Sequence, residues 1–168
     1  FIGLFNDCSR DVWGTPSLRP MQSNILRLLI DPSLPNAVLA VYRTGLGKSH
    51  VIRMIGVLDR GICMIFIPLL TLSADVMKKF QSACQDFGPV HAYHLDELVD
   101  SDRTLHDDVL SLCMGLKPST ESTVFVFLSP QHLCKYQSAC NVFLACGGKG
   151  TLRTVAMDEI HLHVAHGL

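Results

Sequence analysis

Three six-residue runs in this chain are apolar almost from end to end: AVLAVY at residues 37–42, ICMIFI at 62–67 and TVFVFL at 123–128. A strand with one wet face alternates apolar and polar residues, whereas a continuous run must be covered on both faces. Between the runs lie stretches with helical spacing, such as Val51, Met54, Ile55 and Leu58. Strands alternating with helices build an α/β fold, a mainly parallel sheet with helices on both faces. The pattern predicts helices over 22–30, 48–58, 72–87, 100–115 and 131–145. It predicts strands over 37–42, 62–67, 90–94, 123–128 and 152–157. Residues 117–122 read as a polar loop, and Gly147, Gly148 and Gly150 as a break before the last strand. No repeat or internal boundary interrupts residues 18–168, which read as one domain behind an N-terminal extension, 1–17.

Composition narrows the class. Hydrophobic residues make up 48% and charged ones 17%, which excludes a disordered chain. The net charge of −1 leaves no broad electrostatic footprint for nucleic acid, so any such contact must come from local loops. The longest apolar run, 62–72, is interrupted by Pro68 and is too short to cross a bilayer. No membrane partner is expected. Residues 1–5 show no leader pattern. The seven cysteines include no C-x-x-C pair and several sit in apolar runs, as reduced thiols of an intracellular protein do.

Parallel sheets bind ligands at the carboxyl ends of their strands, so the informative loops follow residues 42, 67, 128 and 157. The first reads Arg43-Thr44-Gly45-Leu46-Gly47-Lys48-Ser49 and resembles the Walker A phosphate loop. Glycines at 45 and 47 let backbone N–H groups curl around a phosphate, and the following helix points its positive end at the same anion. Thr44, Gly45, Leu46, Gly47, Lys48 and Ser49 are the candidate ATP ligands. Lys48 is placed to reach the β and γ phosphates, and Ser49 to ligate Mg²⁺. Tyr42 stands where the usual first glycine would be, a departure shared with several helicase families.

The last predicted strand ends in Met157-Asp158-Glu159-Ile160-His161, which resembles the D-E-x-H box. Neighbouring residues at a strand end face different ways, so the two carboxylates can take different tasks. Asp158 is assigned to Mg²⁺ through a water ligand, and Glu159 to the general base that activates the attacking water. His161 is assigned to linking the γ-phosphate state to the rest of a motor. His161, His163 and His166 also admit a metal reading, although no cysteine lies at finger spacing.

Four further segments resemble the RecQ-type enzymes among superfamily 2 helicases. Leu18-Arg19-Pro20-Met21-Gln22 is similar to their F-R-P-x-Q start, whose glutamine reads adenine; Arg19 and Gln22 are therefore candidate nucleotide contacts. Ile67-Pro68-Leu69-Leu70-Thr71-Leu72, followed by Asp75, resembles motif Ia, with Ile67 in place of serine. Phe127-Leu128-Ser129-Pro130-Gln131 resembles motif Ib, with Gln131 in place of glutamate. The resemblance makes Pro68, Leu69, Thr71, Ser129 and Pro130 candidate nucleic-acid contacts. His166-Gly167 falls where the family has Trp-Gly.

The resemblance implies the first RecA-like ATP-binding domain of a DExH-box helicase, using ATP and Mg²⁺ and acting on DNA rather than RNA. It implies a second RecA-like domain that supplies arginine fingers, and nuclear localisation on family grounds alone. The chain opens on Phe and stops just after the box, so it is expected to be a truncated domain that binds Mg·ATP, hydrolyses it slowly and unwinds nothing. The alternative is a degenerate nucleotide- or nucleic-acid-binding module without unwinding activity. A third class, a P-loop kinase, fits the combined motifs poorly.

Overall fold

The computed structural model describes residues 2–14, 17–30, 33, 37–40, 46–67 and 89–157. Their elements are α1 (Ile2–Trp13), α2 (Pro20–Ile30), α3 (Lys48–Leu58), β1 (Gly61–Phe66), β2 (Val90–His94), α4 (Leu95–Ser101), α5 (Arg103–Gly115), β3 (Thr123–Leu128), α6 (Pro130–Lys135), α7 (Gln137–Lys149) and β4 (Leu152–Met157). They fall into two compact units, Phe1–Ile55 and Gly56–Leu168.

The second unit is built on a four-stranded sheet of order β2-β3-β1-β4. Every pairing is parallel. This is the α/β, parallel-sheet architecture that the apolar runs call for. The runs at 62–67 and 123–128 became the two central strands, and β3 is buried at all six positions. Alternation sends their side chains to opposite faces. On one face Ile62, Met64, Val124, Val126 and Leu128 pack with Leu95 of α4, Val109 and Cys113 of α5, and Phe143 and Cys146 of α7. On the other, Cys63, Ile65, Phe125 and Phe127 are also buried. There Phe125 lies over Gly56, in the last turn of α3, and Thr123 Oγ1 donates to the Gly56 carbonyl at 3.1 Å.

Burial accounts for three of the described cysteines, while Cys134 is exposed and Cys140 half-buried. Cys63, Cys113 and Cys146 are free thiols in the core. Burial pushes the Cys113 thiol up to about 12. These are small hydrophobes rather than ligands or nucleophiles.

Helix boundaries differ from expectation at three places. The helix expected over 100–115 is two helices, broken at Asp102 (φ −155°, ψ 87°). Its N–H donates to the Leu98 carbonyl and ends α4, while its carboxylate accepts from Leu105 N and starts α5. Aspartate competes for backbone groups in this way wherever a chain can turn. The helix expected over 131–145 is likewise split at Tyr136 (φ −115°, ψ 89°). Gly147 and Gly148 do not break the chain; α7 runs through them to Gly150, whose left-handed φ of 70° closes it.

Residues 37–40, expected to begin a strand, form none, and Leu39 is 75% exposed. An apolar run becomes a strand only where a neighbour completes its hydrogen bonds, and no described residue pairs with these. Residues 41 and 42 and the helix expected over 72–87 lie outside the described residues.

The first unit holds α1, α2 and the start of α3. Its buried side chains include Phe5 and Ser9 of α1, and Gln22, Ile25 and Leu26 of α2. Asn6 Oδ1 accepts from Leu18 N at 3.0 Å, tying α1 to the segment that leads into α2.

A β carbon added at Gly56 would meet Phe125 Cζ at 2.8 Å and Cys63 Cβ at 3.3 Å. Gly56→Ala is therefore expected to destabilise by about 1–3 kcal/mol through overpacking. Phe125→Ala should remove about 3–5 kcal/mol by opening a cavity. Urea unfolding followed by far-UV circular dichroism checks both; unchanged midpoints would rule out this packing.

Candidate functional site

Gly47 turns the chain into α3 with a positive φ of 85°. Its carbonyl accepts from His50 N at 3.2 Å, which closes the first turn. Lys48 and Ser49 open the helix and are partly exposed. A helix start preceded by such a glycine points its N–H groups and the positive end of its dipole toward an anion.

Gln22 explains why only glycine fits at 47. Pro20 occupies the first position of α2. Two residues on, Gln22 reaches back so that its Oε1 accepts from Arg19 N at 2.8 Å, the reciprocal half of a capping box. The other end of the same amide, Nε2, donates to the Gly47 carbonyl at 3.1 Å. A side chain at 47 would strike that nitrogen at 2.6 Å. Gln22 is 4% exposed, so its amide pins the start of α2 to the turn before Lys48. One N–H and one oxygen lone pair remain beyond these two bonds. Arg19 is exposed beside it.

α1 braces the same turn. Ser9, fully buried, bonds through Oγ to His50 Nε2 at 2.9 Å. Burial, with the charge of Arg53, holds the His50 ring below its ordinary value of 6.5. Neither Ser9 nor Asn6 was foreseen from the sequence. The available signal was a small polar residue one helical turn beyond Phe5, on the face that packs inward.

In the second unit the strands end in register: Phe66 pairs with Leu128 and with Met157. Ile67 N donates to the Leu128 carbonyl at 3.1 Å, which extends the ladder by one residue. β4 reaches the same carboxyl edge immediately before position 158.

Ser129 sits at this edge as the N-cap of α6, ahead of Pro130. Its N–H donates to Asp96 Oδ2 at 2.6 Å and its hydroxyl donates to Asp96 Oδ1 at 2.9 Å. The same Oγ accepts from His132 N at 3.3 Å. Both polar groups of Ser129 thus face inward and the residue is buried; Pro130 is partly exposed and Gln131 exposed.

Asp96 Oδ1 also meets His132 Nδ1 at 3.1 Å. Burial works to raise the Asp96 carboxyl. Hydrogen bonds from His132 and Ser129 and the His132 charge outweigh it, and the net position is below the ordinary value. Serine, histidine and aspartate meet here without forming a nucleophilic triad, because the hydroxyl bonds the carboxylate and not the ring. A cavity of about 220 Å³ beside them is lined by Asp96, Asp100, Gln131, His132, Lys135 and Tyr136.

Among the predicted site residues, the structure brings Gln22 against Gly47 and puts Lys48 and Ser49 at the first turn of α3. It places Ser129 and Pro130 at the carboxyl edge. Thr44, Gly45, Pro68, Leu69, Thr71, Asp158, Glu159 and His161 lie outside the described residues, as do His163 and His166. Among the described residues no group of three metal-ligating side chains converges, and no helix is long and apolar enough to cross a membrane.

No protein-family model matches the chain. A Caenorhabditis briggsae protein named "Putative ATP-dependent DNA helicase Q1" is 22% identical to it over 156 residues, 93% of this chain and 23% of that protein. The chain therefore spans less than a quarter of the relative it matches. With 156 of 168 residues covered, the similarity extends into residues 1–17, the segment that carries α1.

Two pH dependences follow. The native Asp96 carboxyl titrates lower than in the unfolded chain, so its contribution is full above about pH 4 and lost as pH falls through the lowered native value. Urea midpoints between pH 3 and 7 should show this acid limb flattened in Asp96→Asn. His50 also titrates below its unfolded value of 6.5. Its contribution is present above that pH and declines as the solution is acidified below it. Protection factors of α1 amides, taken relative to intrinsic exchange at each pH, should fall on this acidification, and the fall should vanish in His50→Gln.

Proposed function

We propose that this chain is the ATP-binding part of a nucleic-acid-dependent motor of the superfamily 2 helicase type, with DNA as its nucleic acid. The observation that carries the reading is the Gln22–Gly47 hydrogen bond. It joins the glutamine of an adenine-reading segment to the glycine turn of a phosphate loop, two motifs 25 residues apart in sequence. The similarity to a protein named as a DNA helicase supports the same reading.

Each residue has a stated task. The N–H groups at the start of α3 and the ammonium of Lys48 hold the phosphates. The Gln22 amide, with one N–H and one lone pair remaining, suits the paired acceptor and donor on the adenine edge. Ser49 and Asp158 are the assigned holders of Mg²⁺, which neutralises charge on the transferring phosphoryl group when bound. Glu159 takes the proton from the attacking water. The turns at 67–71 and 129–130 meet the nucleic-acid backbone, positioning the strand without reading its bases. A second RecA-like domain is the expected partner, supplying arginine fingers.

A second reading, a binding module without motor activity, draws on Ser129. Its N–H and hydroxyl both face Asp96, which leaves less of this turn to grip a strand than motif Ib implies.

Titration with a fluorescent ATP analogue and Mg²⁺ tests the first reading. Wild type should saturate, while Lys48→Ala should weaken binding at least about tenfold, roughly 1.4 kcal/mol or more. Equal binding by both folded proteins would sink the phosphate-loop assignment. Any slow turnover should disappear in Glu159→Gln.

A further inference from the structure

The Asp96–His132 pair is one end of a longer chain. His132 Nε2 lies 3.3 Å from His106 Nε2, and His106 Nδ1 lies 3.0 Å from Asp107 Oδ1. Both rings are buried, while Asp107 reaches solvent. No catalytic or binding role described above uses His106.

Counting protons along this chain gives a definite result. An ionised carboxylate only accepts. Asp96 takes the Ser129 N–H and hydroxyl, so His132 Nδ1 must carry the proton between the ring and Asp96. Asp107 likewise needs a proton on His106 Nδ1. The contact between the two Nε2 atoms needs one more. Three hydrogen bonds therefore call for three N–H groups, and two neutral imidazoles have two. The chain is complete only when the pair holds one additional proton, lying between two carboxylates.

The charged and titratable groups around the pair come from each element packed on it. α4 brings Asp96 and Asp100. α5 brings Asp107 and the Cys113 thiol. α6 brings Lys135, whose Nζ lies over the Tyr136 ring, and that ring packs on both imidazoles at 4.7 and 6.1 Å between centroids. β2 brings His94, whose Nδ1 accepts from Glu97 N. α7 brings the Cys140 and Cys146 thiols and one charged side chain, Lys149, which bonds the Met114 carbonyl at the far end of α5.

We propose that Asp96, His132 and His106 are positioning residues for the Ser129–Pro130 turn, joined by a hydrogen-bonded chain that is complete only with a shared proton, so that this turn's hold on a nucleic-acid strand weakens as pH rises. The binding half of this statement rests on the reading of the turn as a nucleic-acid contact. With the proton present, Asp96 is fixed by His132 and holds the buried Ser129 in place as the N-cap, so that Pro130 and the exposed Gln131 are presented in one arrangement. The buried pair also places a positive charge beneath a surface that meets phosphates. When the proton leaves, one of the three contacts lacks an N–H; where the loss falls on His132 Nδ1, that nitrogen faces Asp96 as a second acceptor and the hold on Ser129 loosens, and in every case the charge is gone.

Two measurements on the chain decide it. Long-range ¹H–¹⁵N spectra of the histidine rings from about pH 5.5 to 8.5, the range in which histidine changes charge, should show His132 protonated at Nδ1. One shared titration should appear on both rings. Two neutral rings at every pH, or two independent titrations, would overturn the shared proton. In parallel, fluorescence anisotropy with a short single-stranded DNA should show affinity falling several-fold from about pH 6 to pH 8. His106→Gln should bind at the weaker level throughout. An identical pH profile in both proteins would overturn the positioning role. DNA that binds at no pH would overturn the nucleic-acid reading of the turn and the binding half with it, while the ring spectra alone still decide the proton.

Discussion

The pairing of β1 with β3 carries the second unit. Six successive residue pairs, from Gly61 with Thr123 to Phe66 with Leu128, lock two strands that have no wet face. Slipping either strand by one residue would turn its whole inner set to the opposite face. The set on one side is matched to α4, α5 and α7, and the set on the other to the close approach of Gly56. This fixed register makes β1, β3 and β4 finish together. Strand ends distant in sequence thereby share one edge, where a parallel sheet collects its ligands.

The strands of this unit were legible because their composition leaves one outcome. ICMIFI and TVFVFL cannot tolerate water on either face, and both ends of β2, β3 and β4 fell where the runs ended. Helix breaks were less legible. Asp102 and Tyr136 interrupt stretches whose apolar spacing is sound, because one side-chain cap or one change of direction outweighs a weak helical preference. Gly147 and Gly148 erred in the other direction: glycine weakens a helix without ending it, and only Gly150 adopts the left-handed cap. Residues 37–40 show the limit of composition. An apolar run states that it wants a neighbour and does not supply one.

The candidate site divides along the same line. Glycine before lysine before serine announces a phosphate loop, and α3 begins at Lys48 as that pattern requires. The glutamine at 22 was singled out for adenine, yet its firmest bonds are to its own helix start and to Gly47. Local spacing has no means of revealing a bond across 25 residues. Asp96, His106 and His132 were missed for a similar reason. They sit on three different helices, separated by polar and apolar residues alike, and only the fold makes them neighbours.

Asp102 joins α4 to α5 with no residue to spare: it is the last cap of one helix and the first of the next. Each residue of a helix turns its neighbour by about 100° about the axis. The elbow therefore sets a phase as well as a direction. One residue added or removed at 102 would leave both helices intact and equally amphipathic, yet rotate α5 by more than a quarter turn. His106 would be carried away from His132, and Val109 and Cys113 out of the core. The angular relation between two well-formed helices, rather than the strength of either, is what places one buried imidazole in reach of another 26 residues further along the chain.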